Sequence, residues 1–107
     1  MEIKKGSDLI LILNIEDIKG KPLRVADTAD FKLYVWTSNP NNYLTFRKRD
    51  LLLKGNVDRV AIPSDWMNTL ESGVLCYNYD YAIRDSAFSH TDCMYNKVKE
   101  VVTDFYW

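Results

Sequence analysis

The chain is poor in the residues that staple, break or switch a small fold. It has two cysteines, four glycines, three prolines and one histidine among 107 residues. Cys76 and Cys93 are too few for a disulfide framework and match no CxxC or zinc spacing. Both are therefore expected to be packing residues in a compartment that keeps thiols reduced, able to pair only if their strands are neighbours. Long apolar runs are missing as well. The run Leu9 to Leu13 is five residues long and stops at Asn14, Glu16 and Asp17. A membrane helix needs about 20 apolar residues and a signal-peptide core about 7–15, so neither is expected, and synthesis in a cytoplasm is. Excess charge of one sign is also lacking: 14 Lys and Arg stand against 15 Asp and Glu, net −1 at pH 7. A nucleic-acid binder that neutralises phosphates is usually basic. Repeats, low-complexity segments and linkers are absent.

What is present is globular composition, with 47% apolar, 13% aromatic and 27% charged residues. A chain of this length makes one domain, residues 1–107, and folding hides roughly two-thirds of its unfolded surface. Leu9 to Ile15 has strand composition, and Asp17 to Pro22 is a turn, with Gly20 free to take positive φ and Pro22 unable to donate to a ladder. Phe31, Leu33 and Val35 alternate with Lys32, Tyr34 and Trp36, the period of a half-buried strand. Turn formers follow at Ser38 to Asn42, then strands at Tyr43 to Lys48 and Val57 to Ile62, with a turn at Gly55-Asn56 between them. Ser64 to Leu70 is the helical stretch: Ser64 is placed to cap it, Asp65 suits the first turn, and Trp66 and Leu70 share a face. Leu75, Tyr77, Tyr79, Tyr81 and Ile83 then alternate with Cys76, Asn78, Asp80, Ala82 and Arg84. This predicts a long antiparallel strand whose tyrosines face core and rim. Asp85 to Asp92 is a polar loop, and Met94 to Trp107 a last strand or strand pair, with a bulge or kink where Val98, Val101 and Val102 break the alternation. Seven or eight short strands, one helical turn and turn signals about every ten residues predict an all-β sandwich or small barrel.

Residues able to carry chemistry are sparse. His90 lies in the polar loop near Ser86 and Ser89, with no oxyanion turn or nucleophile elbow beside it, and reads as a solvated loop histidine. Asp80, Asp85 and Asp92 stand near one end of the last hairpin but form no calcium-loop motif. No catalytic residue, cofactor, metal site or small-molecule substrate is expected. The densest basic cluster is Arg47-Lys48-Arg49, with Lys54 nearby. Residues 1–54 carry net +3 and residues 55–107 net −4, a polarity that suits contact with a charged protein surface or a neighbouring copy if it is also spatial. Seven tyrosines and three tryptophans add side chains common at interfaces and able to stack on sugars. Tyr34 and Trp36 face away from the core if Phe31, Leu33 and Val35 face it. Together with Asn41 and Tyr43 they are the residues a carbohydrate-binding platform would use.

The order of these signals has a family look. An apolar first strand at Asp8 to Ile15 leads to the turn Asp17-x-x-Gly20-x-Pro22, a Phe-x-Leu-x-Val strand at 31–35, and a Val-x-Ile-Pro strand followed by a helical turn. Leu70-x-x-Gly73-Val74-Leu75-x-Tyr77-x-Tyr79 and a final strand close it. This resembles the immunoglobulin-like β-sandwich modules of tailed bacteriophages: the N-terminal domain of baseplate upper proteins, and the capsid-auxiliary and head-fibre proteins of phages of gut Bacteroidales. The resemblance implies an immunoglobulin-like antiparallel sandwich with one short helical turn near residues 64–70. It also implies a non-enzymatic virion component made in the host bacterial cytoplasm, most simply a capsid decoration or head-fibre-associated protein. A tail or baseplate accessory module and a carbohydrate-binding module are the alternatives. Implied partners are the major capsid protein, tail or portal components, or further copies of the chain, with no nucleic acid and no membrane. The expected contact residues are Tyr34, Trp36, Arg47, Lys48, Arg49, Tyr106 and Trp107.

Overall fold

A computed structural model of the chain describes residues 6–84, 92–96 and 100–107. Its strands are β1 (Leu9–Leu13), β2 (Asp30–Trp36), β3 (Leu44–Arg47), β4 (Leu51–Leu52), β5 (Asp58–Ile62), β6 (Val74–Arg84), β7 (Asp92–Asn96) and β8 (Val101–Tyr106), with a single helical turn, α1 (Ser64–Met67), between β5 and β6. Among the described residues they form two antiparallel sheets. One has the order β1-β5-β4. The other has the order β3-β2-β6, with β7 and β8 both paired to the far side of β6. The protein is an all-β antiparallel sandwich, as the alternation predicts.

Strand period decides what is buried. Leu9, Leu11 and Leu13 face inward from β1, as do Phe31, Leu33 and Val35 from β2 and Val60 and Ile62 from β5. Leu75, Tyr77, Tyr79 and Tyr81 bring the long strand's apolar face into the same core. The three tyrosines are almost wholly buried, and their rings run in sequence, with centroids 6.5 Å apart at each step. Phe31 stacks on Tyr79 at 5.6 Å.

The turns follow their chemistry. Gly20 and Gly55 both adopt φ of 83°. The Asp17 carboxylate accepts the N–H groups of Lys19 and Lys21 and stitches the first turn shut; those bonds, chiefly the one from Lys21, hold its pKa below the ordinary carboxylate value. Asp58, buried at the start of β5, accepts Arg24 Nη2 at 3.0 Å and Nε at 3.2 Å, and the Val25 N–H at 3.0 Å.

Three expectations are corrected. Ser64 is the first helical residue, not the cap. Its N–H is taken by the carboxylate of Asp8, 56 residues earlier, at 3.0 Å. The helix ends at Met67, so Met67 and Leu70 turn inward while Trp66 stays outside, stacked on Phe46 at 5.6 Å. Asp92 opens β7 instead of closing a loop. Cys76 and Cys93 do not pair: Cys93 faces Ile83, seven residues along β6 from Cys76, or about 23 Å at the strand rise. Cys76 is a buried free thiol, its pKa raised mainly by that burial. His90, Ser86, Ser89, Asp85 and Val98 lie outside the described residues.

The irregularity expected near the C-terminus is in β8. Val74 faces Tyr106 and Cys76 faces Val102, so two steps of β6 span four of β8. Thr103 bridges the slack, donating its hydroxyl to Leu75 O at 2.7 Å and accepting the Phe105 N–H at 3.1 Å.

Candidate interaction groove

The chain crosses from one sheet to the other at Arg47. There β3 ends, a 3-10 turn covers Lys48–Asp50, and β4 begins in the second sheet. The Asp50 carboxylate accepts the Arg47 N–H at 2.8 Å, and the Leu51 N–H returns to the Lys48 carbonyl. This corner forms one wall of an open groove of about 900 Å³, lined by Arg47, Lys48, Arg49, Leu51, Leu52, Leu53 and Lys54 and closed opposite by Ala29 and Asp30. The opposite wall is equally pinned. Ala29 N–H bonds Ala82 O at 2.7 Å, and Thr28 Oγ1 donates to Val25 O at 2.6 Å.

The groove combines a leucine floor with a cationic rim. Arg47, Arg49 and Lys54 are exposed, and none forms an ion pair with a described residue. Lys48 differs: it is half-buried and its ammonium donates to the Thr28 carbonyl, tying the two walls together. Such a surface can take an acidic, partly apolar protein segment. Carboxylates would meet the rim arginines while apolar side chains cover Leu52.

The aromatic contact residues divide. Tyr106 is exposed on β8. Trp36 and Trp107 are corrected: they are 9% and 5% exposed. Trp36 lies on the outer face of β2 beside Cys76, and both are buried there. Trp107 exchanges two backbone bonds with Gly73, at 2.8 and 3.0 Å, and its ring joins the core. Tyr34 is half-buried and donates its hydroxyl to Asp80 at 2.6 Å. Burial, reinforced by that carboxylate, pushes its pKa up to about 12. Tyr43 meets the Tyr34 ring edge-on at 75°, and the Lys32 ammonium sits 5.1 Å from that ring's centre. Tyr34 and Tyr43 therefore present no pair of coplanar rings for a sugar to stack on.

Sequence reasoning found the basic rim and missed its floor. Leu51 to Leu53 shows no alternation to read, because β4 is two residues long. Ile10 and Ile12 were also passed over. They alternate with Leu9, Leu11 and Leu13 and make β1 apolar on both faces, a pattern of strands covered on both sides, yet both are solvent-exposed. Among the described residues no group of three or more His, Cys, Asp or Glu side chains converges, and no helix is long and apolar enough to cross a membrane. No family model, curated protein or solved structure matches the chain.

Proposed function

We propose that the chain is a non-enzymatic structural component of a tailed-phage virion, a capsid-decoration or head-fibre-associated module held on the particle by protein–protein contacts. The observation that carries a binding role is the groove, in which Arg47, Arg49 and Lys54 surround an exposed leucine on walls pinned by backbone hydrogen bonds. A pre-formed, mainly cationic rim over an apolar floor suits an acidic protein surface. The virion assignment, and with it the immunoglobulin-like family, is supported by the resemblance in strand and turn order from Asp17-x-x-Gly20-x-Pro22 to the Tyr77-x-Tyr79 strand. Sandwich folds serve many functions, so the site and the resemblance carry different parts of the proposal.

The test is copy-number mass spectrometry on particles purified from the phage that encodes the chain. Copies on the scale of the capsid subunits are expected, and Arg47→Glu with Arg49→Glu should lower occupancy while the protein still folds. A few copies per particle would move the module to the tail or baseplate. Absence from particles would overturn the virion reading.

A further inference from the structure

The three-stranded sheet has β1 at one edge and the two-residue β4 at the other. The two edges are built differently. β4 is short and flanked by the exposed Arg49 and Lys54, features that discourage a further strand from adding. β1 carries no lysine, proline or bulge: it is leucine and isoleucine throughout and pairs in register with β5 from Leu9 to Leu13. Ile10 and Ile12 are 55% and 52% exposed on its outer face.

The backbone groups along the β1 edge can be assigned. Just beyond β1, Ile15 and Asp17 bond to Leu23 and Lys21. Asn14, Glu16 and Ile18 turn the other way and donate their N–H groups to tyrosine hydroxyls. β5 lies on the Leu23 side, because Asp58, opposite Leu13, accepts the Val25 N–H. Successive residues of a strand bond to alternate sides, so the N–H and C=O groups of Ile10 and Ile12 face away from β5. Among the described residues no strand pairs with that side of β1. The tyrosine hydroxyls close the edge over residues 14–18 and leave it open over 9–13.

We infer that β1 pairs antiparallel with β1 of a second copy about a two-fold axis at Leu11, joining two three-stranded sheets into one. The segment Leu-Ile-Leu-Ile-Leu reads the same in both directions, so a copy of itself meets it with an aliphatic side chain at every position. Ile10 lies opposite Ile12 of the second copy, and the two residues exchange their backbone hydrogen bonds. Other registers are worse. A one-residue slip turns one copy's buried face outward. A two-residue slide one way sets Asp8 against Ile12. The opposite slide sets Asp8 against Glu16 and calls on the Asn14 N–H, which Tyr77 already holds. In the two-fold pair each open edge covers the other, so association stops at the dimer. The inference goes beyond the virion assignment and stands without it.

The test is sedimentation of the purified protein over a range of concentration, at low and high salt. A concentration-dependent dimer is expected that persists at high salt, because the contact is apolar and backbone-bonded. Ile10→Lys, Ile10→Glu and Ile12→Glu should each weaken it roughly tenfold or more. Thermal unfolding should stay close to wild type, since both side chains are already exposed. Mixing Ile10→Lys with Ile12→Glu sets lysine directly opposite glutamate and should restore the dimer. Mixing Ile10→Lys with Ile10→Glu sets the two charges diagonally and should restore it less. A wild type that stays monomeric at its highest soluble concentration would overturn the inference. So would association that grows past the dimer, variants that associate like wild type, or equal recovery in the two mixtures. None of these outcomes depends on whether the protein is found in virions.

Discussion

The hydroxyl of Tyr79 holds both backbone polar groups of Glu16, accepting its N–H at 2.8 Å and donating to its carbonyl at 2.9 Å. Tyr77 and Tyr81 repeat the acceptor half of that contact, taking the N–H groups of Asn14 at 3.1 Å and Ile18 at 2.8 Å. Three alternate residues of β6 thus reach through the core to three alternate residues just beyond β1. The hydroxyl row does for residues 14–18 what a neighbouring strand would do.

Tyr79→Phe removes both bonds and strands two backbone groups of Glu16. The expected loss is about 1–3 kcal/mol, measured by denaturant unfolding with an unchanged m-value. Tyr77→Phe, which removes one bond, should cost less.

The same row makes the protein sensitive to alkali. Burial pushes the Tyr79 pKa up to about 12, and it raises those of Tyr77 and Tyr81 as well. Each hydroxyl is held protonated more tightly in the folded state than in the unfolded chain, where tyrosine titrates near 10. The stabilisation is therefore complete below pH 10 and disappears as pH rises toward 12. Tyrosinate absorbance should show Tyr34 and Tyr79 ionising only as the fold is lost.

Asp58→Ala should cost about 3 kcal/mol, because it leaves the Val25 N–H without its acceptor and Arg24 without its carboxylate, with only the Gly55 carbonyl still bonded to it. Asp58→Asn retains an acceptor for Val25 and should cost less. Thermal unfolding of the two variants separates these effects.

Gly73→Ala tests a close approach. A Cβ there would sit 3.1 Å from both Ser38 Cβ and Ser38 N, and Gly73 also pairs its backbone with Trp107. A loss of about 1–2 kcal/mol is expected, with tryptophan fluorescence shifting as Trp107 loosens.

Alternation made most of the sandwich legible. It placed Leu33 and Tyr79 in the core and the turns at Gly20 and Gly55 between strands. Alternation reports a side of a sheet, however, and not what covers that side. Trp36 does lie on the outer face, but it is buried there beside Cys76. Nor does period two reveal where a ring's far end arrives, so the tyrosines were readable as core while their backbone partners were not. The capping of Ser64 by Asp8 was hidden for the same reason, since no local pattern links residues 56 apart. Of the groove, the charge cluster Arg47-Lys48-Arg49 was visible because it is contiguous. Its leucine floor was not, because it forms only where the chain changes sheets.

The tyrosine row joins residues separated by 63 positions at every one of its rungs. Closing loops of that length costs chain entropy before any rung rewards it, and such non-local topology belongs to the slow end of two-state folding. The row is therefore expected to form late in folding, after β6 and β1 have found their own sheets. Phenylalanine replacements in it should accelerate unfolding far more than they slow refolding.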